Sequence, residues 1–132
     1  MSSAPKPRTA HARPKYYDLN LAHLPAPGIV SILHRVSGAL LFLAIPVLLC
    51  LLQGSLASEE EFGRCKAFLG QPLVKLAAIG LFWLYAHHFF AGIRYLLLDL
   101  HVGIEKQPAN SSARVVLALG VASALAFGWC VW

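Results

Sequence analysis

The sequence predicts an all-α integral membrane protein with three transmembrane helices. Composition is the first sign. Of 132 residues, 58% are hydrophobic and 13% are charged, with less charge and longer apolar runs than a soluble domain of this size carries. Length is the second. Apolar segments at about 29–52, 72–100 and 113–132 each come near the ~20 residues a helix needs to cross the hydrocarbon core. The third is periodicity, because the polar residues inside the first two runs recur at helical spacing.

Residues 1–28 form a polar N-terminal segment, and residues 29–132 form the three-helix anchor. Pro5, Pro7, Pro14, Pro25 and Pro27 make the N-terminal segment extended and irregular. It lacks the apolar core and small-residue cleavage site of a removable signal peptide. Pro27-Gly28 marks the start of the first span, and Pro46 is expected to bend it. Gln53-Gly54-Ser55 closes it. Residues 56–70 are mixed and suit a short interfacial helix. Pro72 fits the first turn of the second span, where a missing N–H is harmless. Lys75 is expected to snorkel to the outer surface. Trp83 lies deeper than a belt residue, which points to packing or a bound group. The second span ends near Asp99–His101, with Gly103 just beyond. Asn110-Ser111-Ser112 offers a cap for the third span, and Trp129 and Trp132 suit the outer interface.

Net charge is +5. Lys6, Arg8, Arg13 and Lys15 precede the first span. Arg94, Lys106 and Arg114 flank the second loop, against Arg64 and Lys66 in the first. The side richer in lysine and arginine faces the cytoplasm, so the N-terminus is expected inside and Trp132 outside. The basic tail has no following stripe of basic and aromatic residues, which argues against nucleic-acid binding. Cys50, Cys65 and Cys130 have no CxxC spacing, so neither a zinc site nor c-type haem attachment is signalled. Cys50 and Cys130 are expected to be small packing residues.

Two polar stripes carry the chemistry. Ser31, His34, Arg35 and Gly38 stand at i, i+3, i+4 and i+7, on one face of the first helix. His88, Gly92, Tyr95 and Asp99 stand at i, i+4, i+7 and i+11 on the second. Arginine and histidine are costly at membrane depth, so both edges should face protein, a cofactor or water. His88 lies about 18 Å from the inner end of its helix. Its imidazole needs partners for both nitrogens, and iron can satisfy one. The plainer alternative is a hydrogen bond to a neighbouring helix, with Gly92 serving packing. Gly92 equally leaves space for a porphyrin face. His87 is the competing ligand, but it projects about 100° away, with Ala91 and Arg94, has no glycine one turn on, and reads as a packing residue or one that supports the ligand. Arg35 lies about 9 Å inside the first helix. Its planar fork of donors suits a carboxylate or a carbonyl oxygen that gains charge on reduction, and Ser31 can donate beside it. The alternative is an Arg35 that snorkels and only sets topology. Asp99 is expected to pair with Arg94 or with another chain.

Ser31-Ile-Leu-His-Arg-Val-Ser-Gly38, His88-x-x-x-Gly-Ile-Arg94 and Asp99, with Arg13-Pro14 and Asp18-Leu19 upstream, resemble the cytochrome b556 subunit family of bacterial succinate dehydrogenase. This is the larger membrane anchor of respiratory complex II. The resemblance runs from about residue 13 to the end. It implies half of a heterodimeric helix bundle that holds one haem b, with His88 as this chain's axial iron ligand. A second small membrane anchor subunit would supply the other. Ser31 and Arg35 match positions that line the ubiquinone pocket, and His34 and Arg35 match positions near the haem propionates. A flavoprotein subunit would oxidise succinate, and an iron–sulfur subunit would carry the electrons. This chain would thus be a subunit of the enzyme without catalytic residues of its own for succinate. The implied location is the bacterial inner membrane, with the C-terminus periplasmic. Relatives often carry a histidine where this chain has Tyr95. Rival readings are a haem-free structural anchor and the anchor of a quinol:fumarate reductase. Three spans with one polar edge each make a self-sufficient pore a poor fit.

Overall fold

The computed structural model describes residues 24–132, so the expectations for the basic, proline-rich residues 1–23 lie outside the described part. Four helices follow in order: α1 (Ala26–Ala57), α2 (Glu59–Leu69), α3 (Pro72–Asp99) and α4 (Lys106–Val131). α1, α3 and α4 are long and apolar enough to cross a membrane. At 32, 28 and 26 residues, they measure about 48, 42 and 39 Å. Each exceeds the ~30 Å hydrocarbon core, so the helices tilt or extend past it.

Local chemistry sets each helix boundary. α1 begins one residue after Pro25, with a proline in its first turn. Helical structure runs unbroken through Pro46 and past Gly54 to Ala57. It therefore outlasts the predicted close at residues 53–55. α2 is the expected short helix. Ser58 accepts a hydrogen bond from the Glu61 amide at 3.1 Å, which supplies one of the donors a helix start leaves unpaired. Glu59, Glu60 and Glu61 crowd its first turn, where the helix dipole favours negative charge. Arg64 bridges Glu60 and Glu61 at 2.7 and 2.8 Å. These pairs are exposed and add little stability.

α3 starts at Pro72, as predicted. Its C-terminus closes by paired backbone bonds, from the Val102 amide to the Leu97 carbonyl and from the His101 amide to the Leu98 carbonyl. This geometry needs a left-handed residue at the turn, a place glycine usually takes. Here His101 takes it, with φ of 62°, and Gly103 follows with φ of 73°. The glycine signal thus sat two residues beyond the true stop.

α4 departs most from expectation. It starts at Lys106 and not near 113. Pro108 falls in the first turn, where its missing N–H is tolerated. Asn110 and Ser112 do not cap. Asn110 Nδ2 donates to the Lys106 carbonyl at 3.0 Å, and Ser112 Oγ donates to the Ala109 carbonyl at 3.2 Å. Both side chains bond back into their own helix, the common fate of such residues away from a helix start.

α3 and α4 form the closest pair, joined through small side chains. Ala86, Ala91, Ala113 and Ala124 are buried. Gly120 lies against His87, and Gly128 against Ile79. Small residues let membrane helices approach closely, which is what holds them together in lipid. Phe82 stacks on Phe127 with centroids 4.3 Å apart. At the far end Lys75 Nζ donates to the Val131 carbonyl at 3.0 Å and sits 5.8 Å over the Trp132 ring. It thus satisfies an unpaired carbonyl at the end of α4. Cys50 and Cys130 are exposed, contrary to the packing role expected. Helical rotation turns both to the outer face. All three cysteines are free.

Candidate functional site

The two polar stripes meet. α1 and α3 pack so that each stripe's histidine lies over the other stripe's glycine. His34 and His88 stack nearly parallel, with centroids 4.2 Å apart and an interplanar angle of 11°. A Cβ on Gly38 would stand 2.9 Å from His88 Cε1, whereas one on Gly92 would stand 3.8 Å from His34 Nε2. Gly38 is therefore the glycine that admits His88. Gly92 lies beneath His34 at ordinary contact distance, so the porphyrin-facing place expected of it is taken up by the His34 ring. Tyr95 also packs against His34, with centroids 5.1 Å apart and rings tilted by 47°.

His88 is held by one ring nitrogen. Its Nδ1 lies 3.1 Å from the His34 carbonyl oxygen and 3.2 Å from Ser37 Oγ. Ser37 Oγ itself donates to the His34 carbonyl at 3.0 Å. Nε2 makes no hydrogen bond among the described residues, and the residue as a whole is only partly buried. Ser37, 1% exposed, is the residue sequence reasoning passed over. The available signal was that it is the only hydroxyl between Val36 and Leu52.

One turn nearer the start of α1, an Arg35 terminal nitrogen donates to Ser31 Oγ at 3.1 Å. Arg35 is exposed and Ser31 partly so. That bond uses a lone pair of the Ser31 oxygen, so the hydroxyl hydrogen remains free to donate outward. Neither residue pairs with a carboxylate among the described residues.

His87 turns the other way, as its register predicted. It is fully buried, stacks on Trp83 with centroids 5.6 Å apart, and leaves both ring nitrogens without a partner among the described residues. Trp83 is thereby explained by packing. Arg94, 6% exposed, donates through Nε to Ser112 Oγ at 3.0 Å and through a terminal nitrogen to the Ala109 carbonyl at 3.1 Å. Its expected pairing with Asp99 does not form. Arg94 shares the α4-facing stripe with His87 and Ala91, while Asp99 is exposed. A cavity of about 310 Å³ runs along α3 and α4 beside Arg94 and Ser112. It does not include His88, Ser31 or Arg35, which lie instead on the open α1–α3 side.

Residues 9–127 match the family described as succinate dehydrogenase/fumarate reductase transmembrane subunit. Three curated relatives bear the name succinate dehydrogenase cytochrome b556 subunit. The protein from Coxiella burnetii is 34% identical over 91% of this chain and 97% of its own length. The one from Paracoccus denitrificans is 27% identical, over 86% of this chain and 87% of its own. The Rickettsia felis protein is 26% identical over 90% and 81%. Three membrane-length helices, a stacked, partly buried histidine pair between two of them and a match across nearly the whole chain lead to one conclusion: this multi-pass membrane protein belongs to the succinate dehydrogenase/fumarate reductase transmembrane subunit family.

Proposed function

We propose that this chain is a membrane-anchor subunit of a succinate:ubiquinone oxidoreductase, that His88 is its axial ligand to a haem b, and that Ser31 and Arg35 line the quinone-reduction site. The observation that carries this reading is the asymmetry of the His88 ring. Both of its contacts fall on Nδ1, so Nε2 is left as a free donor atom. Metal-ligating histidines characteristically bond the other ring nitrogen to a carbonyl or similar acceptor. A bound haem b supplies a one-electron iron centre whose potential follows its ligands and burial. The cytochrome b556 names of the relatives support that cofactor.

His34 is a poor second ligand. Its ring is stacked face to face on that of His88, so the two imidazoles of this chain would not hold one iron together. The second ligand is therefore assigned to a second small anchor subunit, which would also cover the open α1–α3 side. Arg35 and His34 are the groups this chain offers to the haem propionates.

Ser31 and Arg35 form a preset pair of donors. Arg35 keeps four N–H groups beyond the one given to Ser31, and Ser31 keeps its own hydroxyl hydrogen. A quinone oxygen gains negative charge as electrons arrive from an iron–sulfur subunit. Donors already fixed in place stabilise that charge without reorganising. A flavoprotein subunit holds the succinate-oxidising chemistry. The pair sits near the start of α1, and the excess of basic residues ahead of that helix supports a cytoplasmic position for this end. Protons would reach it from there.

Arg35→Ala in the purified complex tests the quinone assignment. Removing a fixed charged donor is expected to lower succinate:quinone turnover by about 10²-fold, with the b-type spectrum retained. Wild-type turnover in this variant would refute the assignment.

A further inference from the structure

The contacts of His88 settle which of its nitrogens carries the proton. A carbonyl oxygen can only accept. The His34 carbonyl stands 3.1 Å from His88 Nδ1, so Nδ1 must be the N–H nitrogen. That carbonyl already accepts from Ser37 Oγ at 3.0 Å and, as part of an α-helix, from the Gly38 amide. Two lone pairs therefore face three donors. The Ser37 oxygen, 3.2 Å from Nδ1, supplies the second acceptor that the crowded carbonyl lacks. Its single hydrogen is committed to His34, so towards Nδ1 it presents a lone pair.

We infer that Ser37 is a positioning residue for the His88 imidazole. With the His34 carbonyl it forms a two-acceptor fork that fixes the Nδ1–H tautomer, presents Nε2 outward and raises the electron density on it. This rests on the assignment of His88 to haem iron in the preceding subsection. Two further features support it. Ser37 is buried to within 1% of complete in a stretch otherwise free of hydroxyls, where alanine would be the better helix former. Gly38, next in sequence, removes the Cβ that would push His88 off the fork. Acceptors on the far nitrogen raise the basicity of a ligating imidazole. A more electron-donating ligand favours ferric over ferrous iron, so the fork holds the potential down.

The test uses the isosteric pair Ser37→Val and Ser37→Thr in the intact membrane complex. Both add the same bulk, and only threonine keeps the hydroxyl. Ser37→Ala, which adds none, covers failure of the larger variants to assemble. Readouts are the haem midpoint potential by redox titration and the g-values of the low-spin ferric signal. The His34 carbonyl remains in every variant, so haem should stay bound. Valine and alanine should shift the potential to more positive values and alter the g-values, while threonine stays near wild type. Equal potentials for valine and threonine, or an alanine variant indistinguishable from wild type, would overturn the role of Ser37. If the wild-type complex itself had no b-type haem, the assignment of His88 would fail instead.

Discussion

A methyl group at position 38 has no room. The Cβ of an alanine there would stand 2.9 Å from His88 Cε1 and 3.4 Å from Nδ1. Carbon atoms rest at about 3.5–4.0 Å, so the ring must retreat by about 0.6 Å. A retreat of the ring from α1 lengthens and weakens the Nδ1 contacts, now 3.1 and 3.2 Å, both of which are made to α1. Overpacking of this kind costs about 1–3 kcal/mol. The better helix propensity of alanine returns up to about 1 kcal/mol. With the full offset, a net cost of up to about 2 kcal/mol lowers the population of the bonded His88 pose by up to about 30-fold. In Gly38→Ala, haem per complex should fall, and the ferric signal of what remains should broaden or shift. Gly92→Ala is the control, because its Cβ would stand 3.8 Å from His34 Nε2, an ordinary contact. Full haem content and an unaltered ferric signal in Gly38→Ala would refute the steric reasoning.

Other outcomes follow from the same contacts. His87→Leu removes two buried nitrogens that have no partner among the described residues. It should leave the haem spectrum intact and the complex as stable or more so, by up to about 2 kcal/mol, as read by thermal denaturation. Loss of haem in that variant would show that His87, and not His88, is the ligand. Lys75→Met deletes the 3.0 Å bond to the Val131 carbonyl. It should cost about 1 kcal/mol, read as a lower thermal denaturation temperature of the purified complex.

The sequence was most informative where polar residues interrupt apolar runs. Spacing alone placed Ser31, His34, Arg35 and Gly38 on one edge and His88, Gly92 and Tyr95 on another. It also put His87, Ala91 and Arg94 on a third face, and all three of these are buried. What spacing could not supply was which edge meets which. The interlock of His88 over Gly38 and His34 over Gly92 is a property of two helices in register. For the same reason the sequence credited Gly92 with space that Gly38 provides, and Ser37 drew no notice. Arg94 was expected to find Asp99, yet it reaches Ser112 and Ala109 on α4, a neighbour no local pattern identifies. The start of α4 was missed because Asn110-Ser111-Ser112 imitates a cap. Hydropathy also falls across residues 106–112 although the backbone is already helical there.

The central claim is that His88 offers Nε2 to a haem iron shared with another chain. It is tested most directly by the reduced-minus-oxidised absorption spectrum of the purified complex, wild type beside His88→Ala. The account expects a b-type band in the wild type, lost or grossly altered in the variant while the subunits still co-purify. An identical band in both preparations would contradict it.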